Sequence, residues 1–308
     1  MNQRILITGS AGLVGKALTT RLAAQGADVV HFDLHAHGQS RGDVRDRDRL
    51  REVVANVSGI IHLAAVSRVI WGERDPAVCW ATNVTGVRNV LEVVSDSPRM
   101  PWLIFASSRE VYGQPIHLPV DEDCSLSPVN VYGRSKVEGE LLVEKARRSG
   151  VRACTIRLSN VFGSTADHAD RVVPAFARAA VLGRELRVDG LDQTFDFTHI
   201  DDVSRGIVAL VELLAADEPT PPPIHFVSGR PTTLGELASL SIRIARSSST
   251  IRVAAPRDFD VARFFGNPER ARALLGWQPQ VRLEEGVARL VHAFHESPHA
   301  IEVEDIVQ

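Results

Sequence analysis

Short apolar runs alternate with segments of helical spacing through the first half of the chain. The runs at Arg4–Thr8, Asp28–Phe32, 59–63, 102–106 and 151–158 predict strands. Residues 13–25, 46–55, 76–95 and 131–149 carry apolar positions three and four apart and predict helices. Alternation of this length requires parallel strands joined by crossover helices, which are right-handed almost without exception. The pattern therefore predicts an α/β fold built on a doubly wound parallel sheet. After about residue 160 the segments become shorter and more polar, with helices expected at 233–246 and 284–295 in a smaller C-terminal lobe. The Pro-Thr-Pro-Pro-Pro run at 219–223 is a stiff extended break. No periodicity continues past residue 297, and 301–308 is expected to be a loose tail.

Composition narrows the class without naming a chemistry. The 308 residues suit one large domain with a smaller lobe, and 44% apolar with 24% charged residues is an ordinary globular balance. A net charge of -3 with no Lys/Arg block argues against nucleic-acid or anionic-membrane partners. No apolar run approaches the roughly 18 residues of a spanning helix. The chain enters its first strand at Arg4 with no signal-peptide pattern, so a cytoplasmic protein is expected. Cys79, Cys124 and Cys154 are far apart and show no metal-ligand spacing, so reduced thiols and no metal site are expected.

The first predicted strand runs into Thr8-Gly9-Ser10-Ala11-Gly12-Leu13-Val14-Gly15. Three glycines between a strand and a helix permit a tight turn, close backbone approach to a pyrophosphate, and close helix–sheet packing. The unpaired N–H groups and positive dipole of the helix N-terminus face the phosphates. The second strand ends at Asp33, about 20 residues on, where a carboxylate can accept from both hydroxyls of an adenosine ribose and repels a 2'-phosphate. NAD is the expected cofactor of a Rossmann-type domain. Arg41 nearby is able in principle to hold a 2'-phosphate.

Tyr132-Gly133-Arg134-Ser135-Lys136 places a phenol and an ammonium at i and i+4, on one helix face. A free tyrosine titrates near 10, too high for a base at neutral pH. A neighbouring ammonium and a positive nicotinamide ring both favour phenolate, so Tyr132 is expected to take a proton from a substrate hydroxyl. Ser108, after the fourth strand, is expected to hydrogen-bond the reacting oxygen.

Together these residues resemble the extended short-chain dehydrogenase/reductase family of NAD-dependent sugar epimerases and dehydratases. The resemblance spans nearly the whole chain. It adds Gly42-Asp43-Val44-Arg45-Asp46, whose acidic residue is implied to meet the adenine, His62-Leu63-Ala64-Ala65 beside the cofactor, and Asn83-Val84-Thr85-Gly86 on the next helix. Cofactor contacts are thus implied for Leu13, Val14, Asp43, Val44, Leu63, Ala64, Ala65 and Asn83, and substrate contacts for Ser67, Ser108, Arg109, Asn160, Val173, Phe195 and Arg257. The implied division is a cofactor domain at 1–160, to which parts of 190–230 return, and a mainly substrate-binding lobe at 161–300. Members often carry Gln-x-Arg-Asp-Phe, whose arginine clamps a diphosphate; here Gln193-Thr194-Phe195-Asp196-Phe197 has a ring in its place. Either another arginine, Arg171 or Arg263, supplies that contact, or the substrate carries less phosphate. His199 is expected to be structural. The family also implies a homodimer through the helices at 76–95 and 131–149.

A nucleotide-sugar 4-epimerase is the first reading. Dehydratases of this type carry Thr-Asp-Glu or Thr-Ser-Glu where this chain has Ser108-Arg109-Glu110, so Glu110 is a candidate second base for loss of water or of carbon dioxide. Arg109 has no proton to give at neutral pH and suits an anionic group or a pair with Glu110. A simple sugar or alcohol dehydrogenase stays open, as does a noncatalytic NAD(H)-sensing protein on the same fold.

Overall fold

Six parallel strands organise the computed structural model, which describes residues 3–216 and 218–296. Among the described residues the strands in chain order are β1 (Arg4–Thr8), β2 (Asp28–Phe32), β3 (Gly59–His62), β4 (Trp102–Ser108), β5 (Ala153–Leu158), β6 (Asn160–Phe162), β7 (Leu186–Asp189), β8 (Thr194–His199), β9 (Ile224–Phe226), β10 (Pro231–Thr233) and β11 (Ile251–Ala254). The α-helices are α1 (Leu13–Ala24), α2 (Arg47–Val54), α3 (Val69–Arg74), α4 (Pro76–Trp80), α5 (Gly86–Asp96), α6 (Val131–Arg148), α7 (Val172–Val181), α8 (Ile200–Ala215), α9 (Leu234–Ala245), α10 (Glu269–Leu275) and α11 (Leu283–Glu296).

The main sheet runs β2-β1-β3-β4-β5-β9. Successive side chains of a strand point to opposite faces, and both faces are covered here, which is why the strands read as unbroken apolar runs. Ile5, Ile7, Ile61, Ile104 and Ile156 pack under α1 and α8. Leu6, Ile60, Leu103 and Phe105 pack on the other face, under α2, α5 and α6. The chain order reverses at β1, since β2 lies on one side of it and β3 on the other. The carboxyl ends of β1, β3, β4 and β5 therefore surround one crevice.

A second core holds the C-terminal lobe. The sheet β10-β8-β6 and the pair β11-β7 pack with α7, α9 and α11 around Phe162, Phe176, Phe197, Leu237, Val291 and Phe294. Strands β6 and β10 of this lobe, at three residues each, are too short to show a period, and the apolar pattern did not reveal the lobe's sheet. The tail expected beyond residue 297 lies outside the described residues.

One predicted element differs in kind. The helix expected at 76–95 is α4 and α5 joined by a π-helical turn at Ala81–Thr85. Asn83, at the centre of that turn, is buried and points inward. Its Oδ1 accepts from Val66 N–H at 2.8 Å, and its Nδ2 donates to Val66 O at 3.1 Å and to Ser135 Oγ at 2.9 Å. Wide turns of this sort recur where a side chain must reach a functional loop. Strand β4 also runs two residues further than the apolar run predicts, so that Ser108 pairs with Leu158 at the sheet's end.

Beneath the crevice, Arg157 of β5 is tied to α6. Its Nε and Nη2 donate to the two oxygens of Glu140 at 2.9 and 2.6 Å, and its Nη1 donates to Tyr112 Oη at 2.6 Å and Glu122 O at 2.7 Å. Both partners of the ion pair are buried. Glu140→Ala strands the guanidinium inside the fold, and removing one partner of such a pair costs about 3–5 kcal/mol. Urea unfolding of the variant is expected to show a loss of that size.

Candidate active site

The crevice is a cleft of about 440 Å³ lined by the glycine loop, Leu63, Ala65, the end of β4, Tyr132, Lys136, Asn160, Phe195, Arg257 and the segment from Asp167 to Phe176. A larger groove of about 910 Å³ lies on the C-terminal lobe between α9 and residues 279–284. None of the residues singled out for chemistry lines that groove, so the smaller cleft is the candidate site.

Gly9 takes φ +74°, and a Cβ there would stand 2.7 Å from Ala64 N. A Cβ on Gly15 would stand 2.4 Å from Gly9 O, so the loop and α1 approach only because both are glycines. Gly12 is the N-cap of α1, which has no side-chain cap and no acidic residue in its first turn. Those amide groups are left to an external acceptor, as an anion site requires. Asp33 sits behind the loop and anchors it: Oδ2 accepts from Ala11 N–H at 2.9 Å and Oδ1 from His35 N–H at 2.8 Å.

Tyr132 and Lys136 lie in the first turns of α6, whose N-cap is Asn130. Asn130 Oδ1 accepts from Gly133 N–H at 2.7 Å, and its Nδ2 donates to Glu110 Oε2 at 2.8 Å. The other oxygen of Glu110 pairs with Arg109 Nη2 at 2.9 Å. Both carboxylate oxygens of Glu110 are thus engaged in the cleft wall. Ser108 Oγ accepts from Glu110 N–H at 3.2 Å and faces the same space.

Burial pushes Tyr132 up to about 12, and the hydrogen bond with Ser108 is the largest influence in the other direction. Burial also pulls Lys136 down to about 8. The ammonium is 5.8 Å from the phenol ring centroid and donates to Ala106 O at 2.8 Å. The expectation that Lys136 brings Tyr132 into working range therefore needs correcting for the free protein. Burial penalises the charge on both groups, and the phenol stays protonated until a cation joins it.

Phe195 lies in the cleft beneath a guanidinium: Arg109 Cζ stands 4.5 Å from its ring centroid. Five arginines line the cleft, and each is paired with an acid that also lines it: Arg68 with Asp170 at 2.7 Å, Arg109 with Glu110 at 2.9 Å, Arg171 with Asp167 at 3.4 Å, Arg187 with Asp189 at 2.7 Å and Arg257 with Asp260 at 2.7 Å. Arg68 Nε, Arg109 Nη1 and Ser107 Oγ are buried without a hydrogen-bond partner. Polar atoms left open this way, beside an uncapped helix start, fit a phosphate-rich ligand and a dinucleotide.

The structure therefore gathers Gly9, Gly12, Leu13, Val14, Gly15, Leu63, Ala65, Ser67, Ser108, Arg109, Glu110, Tyr132, Lys136, Asn160, Val173, Phe195 and Arg257 on one cleft. Asp33, Asp43, Val44, Ala64 and Asn83 do not line it. Asp43 is held by Arg45 at 2.5 Å, which lowers its pKa, and Asn83 is 1% exposed in the clasp described above. Of the two candidates to replace the missing diphosphate arginine, Arg171 lines the cleft and Arg263 does not. His199 is buried and caps α8 by accepting from Asp201 N–H at 3.2 Å. Arg68, Asp167, Asp170, Arg187 and Asp260 were not foreseen. Only their charge marked them, and charged residues recur throughout the chain.

The model of the NAD dependent epimerase/dehydratase family matches residues 5–225. The chain belongs to that family. Its sequence is 30% identical over 313 residues to the UDP-glucose 4-epimerase of Rhizobium meliloti, covering 92% of this chain and 94% of that one. It is 29% identical over 310 residues to UDP-glucuronic acid decarboxylase 1 of Danio rerio, covering 95% of this chain and 72% of that one. The solved UDP-glucose 4-epimerase of Thermotoga maritima with UDP-glucose superposes with a TM-score of 0.87 at 26% identity, covering 96% and 99% of the two chains. Family membership makes NAD the cofactor for which the glycine loop and α1 are built. Among the described residues no helix is long and apolar enough to cross a membrane, and no group of three or more His, Cys, Asp or Glu is placed to hold a metal.

The depressed lysine fixes a pH dependence. An unfolded lysine titrates near 10.5, so the unfolded chain binds more protons than the folded one between pH 8 and 10.5, and stability rises with pH over that window. Below pH 8 the free protein carries the full cost, roughly 3 kcal/mol at 1.36 kcal/mol per unit. Lys136→Met is expected to raise the urea midpoint of the NAD-free protein at pH 7, with the gain shrinking towards pH 10. A gain that does not change with pH would contradict the assignment.

Proposed function

We propose that the protein is an NAD-dependent nucleotide-sugar epimerase that inverts C4 through a transient 4-keto sugar. The convergence of Ser108, Tyr132 and Lys136 on the cleft beside the glycine loop carries this reading. Bound NAD+ supplies the hydride acceptor and the positive charge that the phenol lacks in the free protein. The α1 N-terminus and glycine loop hold the pyrophosphate, with Asp33 at the adenosine ribose and Asp43 at the adenine. Tyr132 takes the proton of the C4 hydroxyl and later returns it, Ser108 hydrogen-bonds that oxygen, and Lys136 sustains the phenolate. Arg171, Arg68 and Arg257, with Asn160, receive the diphosphate in place of the arginine absent at Phe195.

Epimerisation needs no acid beyond this set. Dehydration or decarboxylation needs a further proton carrier, and Glu110, two residues after Ser108, is the acid that the sequence sets beside it. Its two oxygens are held by Arg109 and Asn130. The geometry thus favours a positioning role for Glu110, which orients the cap of α6. The family relatives carry the names of both reaction types, so the product decides between them. Tyr132→Phe is expected to lower turnover of a nucleotide sugar by roughly 10²- to 10⁴-fold while NAD binding persists. Turnover that survives the substitution would remove Tyr132 from the mechanism.

The expected homodimer is supported by exposed Val78 and Trp80 on α4 and Leu141 on α6. These apolar side chains lie on the helices the family pairs across its dimer axis. A single species of twice the 33.6 kDa chain mass in sedimentation equilibrium is the expected result, and a monomer at micromolar concentration would exclude it. The free thiols, with Cys79 and Cys154 buried, suit the reducing cytoplasm.

A further inference from the structure

Arg109 is held in the cleft wall with one edge unused. Its guanidinium lies over the Phe195 ring at 4.5 Å, with the Phe264 ring at 5.9 Å, and this stacking fixes its plane. Nη2 is spent on Glu110 at 2.9 Å, and the Arg109 side chain is 11% exposed. Nη1 is buried and has no partner. A buried charged donor left unpaired is costly, which favours an acceptor that arrives with the substrate at Nη1.

The position of the edge says which acceptor. Arg109 follows Ser108 directly, and on the epimerase reading Ser108 and Tyr132 hold the reacting C4 oxygen. The substituents next to that oxygen on a pyranose are the C3 hydroxyl and, across C5, the C6 group. The open Nη1 of a guanidinium already anchored by its Nη2 donates most strongly to a carboxylate oxygen, and such charge-assisted bonds are about twice as strong as neutral ones. The two acids nearest it do not compete for the free edge. Glu110 is held by Nη2 and by Asn130, and Asp260 is paired with Arg257 at 2.7 Å.

We infer that Arg109 selects a nucleotide sugar bearing a carboxylate at C6, a hexuronic acid, over the neutral hexose. The inference rests on the epimerase reading and narrows its substrate. It also bears on the product. Loss of carbon dioxide from a 4-keto uronic acid breaks the C5–C6 bond and sends its electron pair into the keto group as an enolate. The guanidinium opposes this step, because its hold weakens as negative charge leaves the carboxylate.

The test uses the NAD-loaded protein with UDP-glucuronic acid and UDP-glucose, reading affinity by calorimetry and product by chromatography as separate measurements. The acid is expected to bind roughly 10- to 100-fold more tightly than the hexose, and to give an isomer that keeps its carboxylate. In Arg109→Gln the ratio of the two affinities is expected to fall to about one, and in Arg109→Lys to fall only in part. Equal or weaker binding of the acid by the unaltered protein overturns the inference, and that comparison stands even if a variant fails to fold. A ratio unchanged in Arg109→Gln overturns it as well. Preference for the acid without formation of any isomer upholds Arg109 as the selector and defeats the epimerase reading alone.

Discussion

Both oxygens of the Glu110 carboxylate are engaged within the cleft wall, one in an ion pair with Arg109 at 2.9 Å and the other accepting from Asn130 at 2.8 Å, and each contact sets a different part of the site. Through Asn130 it orients the cap of α6, and so the first turn that carries Tyr132 and the second that carries Lys136. Through Arg109 it fixes one edge of a guanidinium whose face already rests on Phe195. A group that looks like a spare base in the chain is a junction in three dimensions. The same residue also reaches Ser108, whose hydroxyl accepts from its backbone N–H. Ser108, the first turns of α6 and Arg109 are thereby referred to one point.

Lys136 shows how the sheet supplies chemistry as well as support. It is 3% exposed, over the ring of Phe105, in the layer that also covers Leu103 and Leu6. The apolar packing that stabilises the domain is what lowers the lysine to about 8 and raises the tyrosine to about 12. A positive charge brought beside Tyr132 lowers the phenol again, and ligand oxygens that accept from Lys136 raise the lysine. The free protein thus stores in its active site a cost that ligand binding relieves.

The features legible in the chain are those written in adjacent residues. The glycine loop, Asp33, the strand ends and the i, i+4 pair of Tyr132 and Lys136 follow from spacing, because local geometry decides them. The α/β class followed from the apolar runs, since strands covered on both faces have no polar interruptions. Long-range contacts were not legible. Arg68 meets Asp170 across 102 positions, and Asn130 meets Glu110 across 20. Arg109 and Phe195 were each marked as departures, but nothing in the chain says that the cation rests on the ring. The resemblance implies a cofactor contact for Asn83, and nothing in the chain says that its side chain also bonds Val66 and Ser135. Short strands such as β6 and β10 leave no periodic signal at three residues each.

The pairing of every cleft arginine with a neighbouring acid has a kinetic consequence. Opposite charges a few ångströms apart cast little field beyond a Debye length, about 8 Å at physiological ionic strength. A polyanionic nucleotide in bulk solvent is therefore not steered towards the opening. Its encounter proceeds near the unsteered rate of about 10⁵–10⁶ M⁻¹s⁻¹ and changes little with added salt. Selection begins only after contact, when ligand oxygens reach the guanidinium nitrogens that the acids leave open, such as Arg68 Nε and Arg109 Nη1. A short anion such as free phosphate reaches too few of the five arginines, so the cleft discriminates by the length of its ligand as well as by its charge.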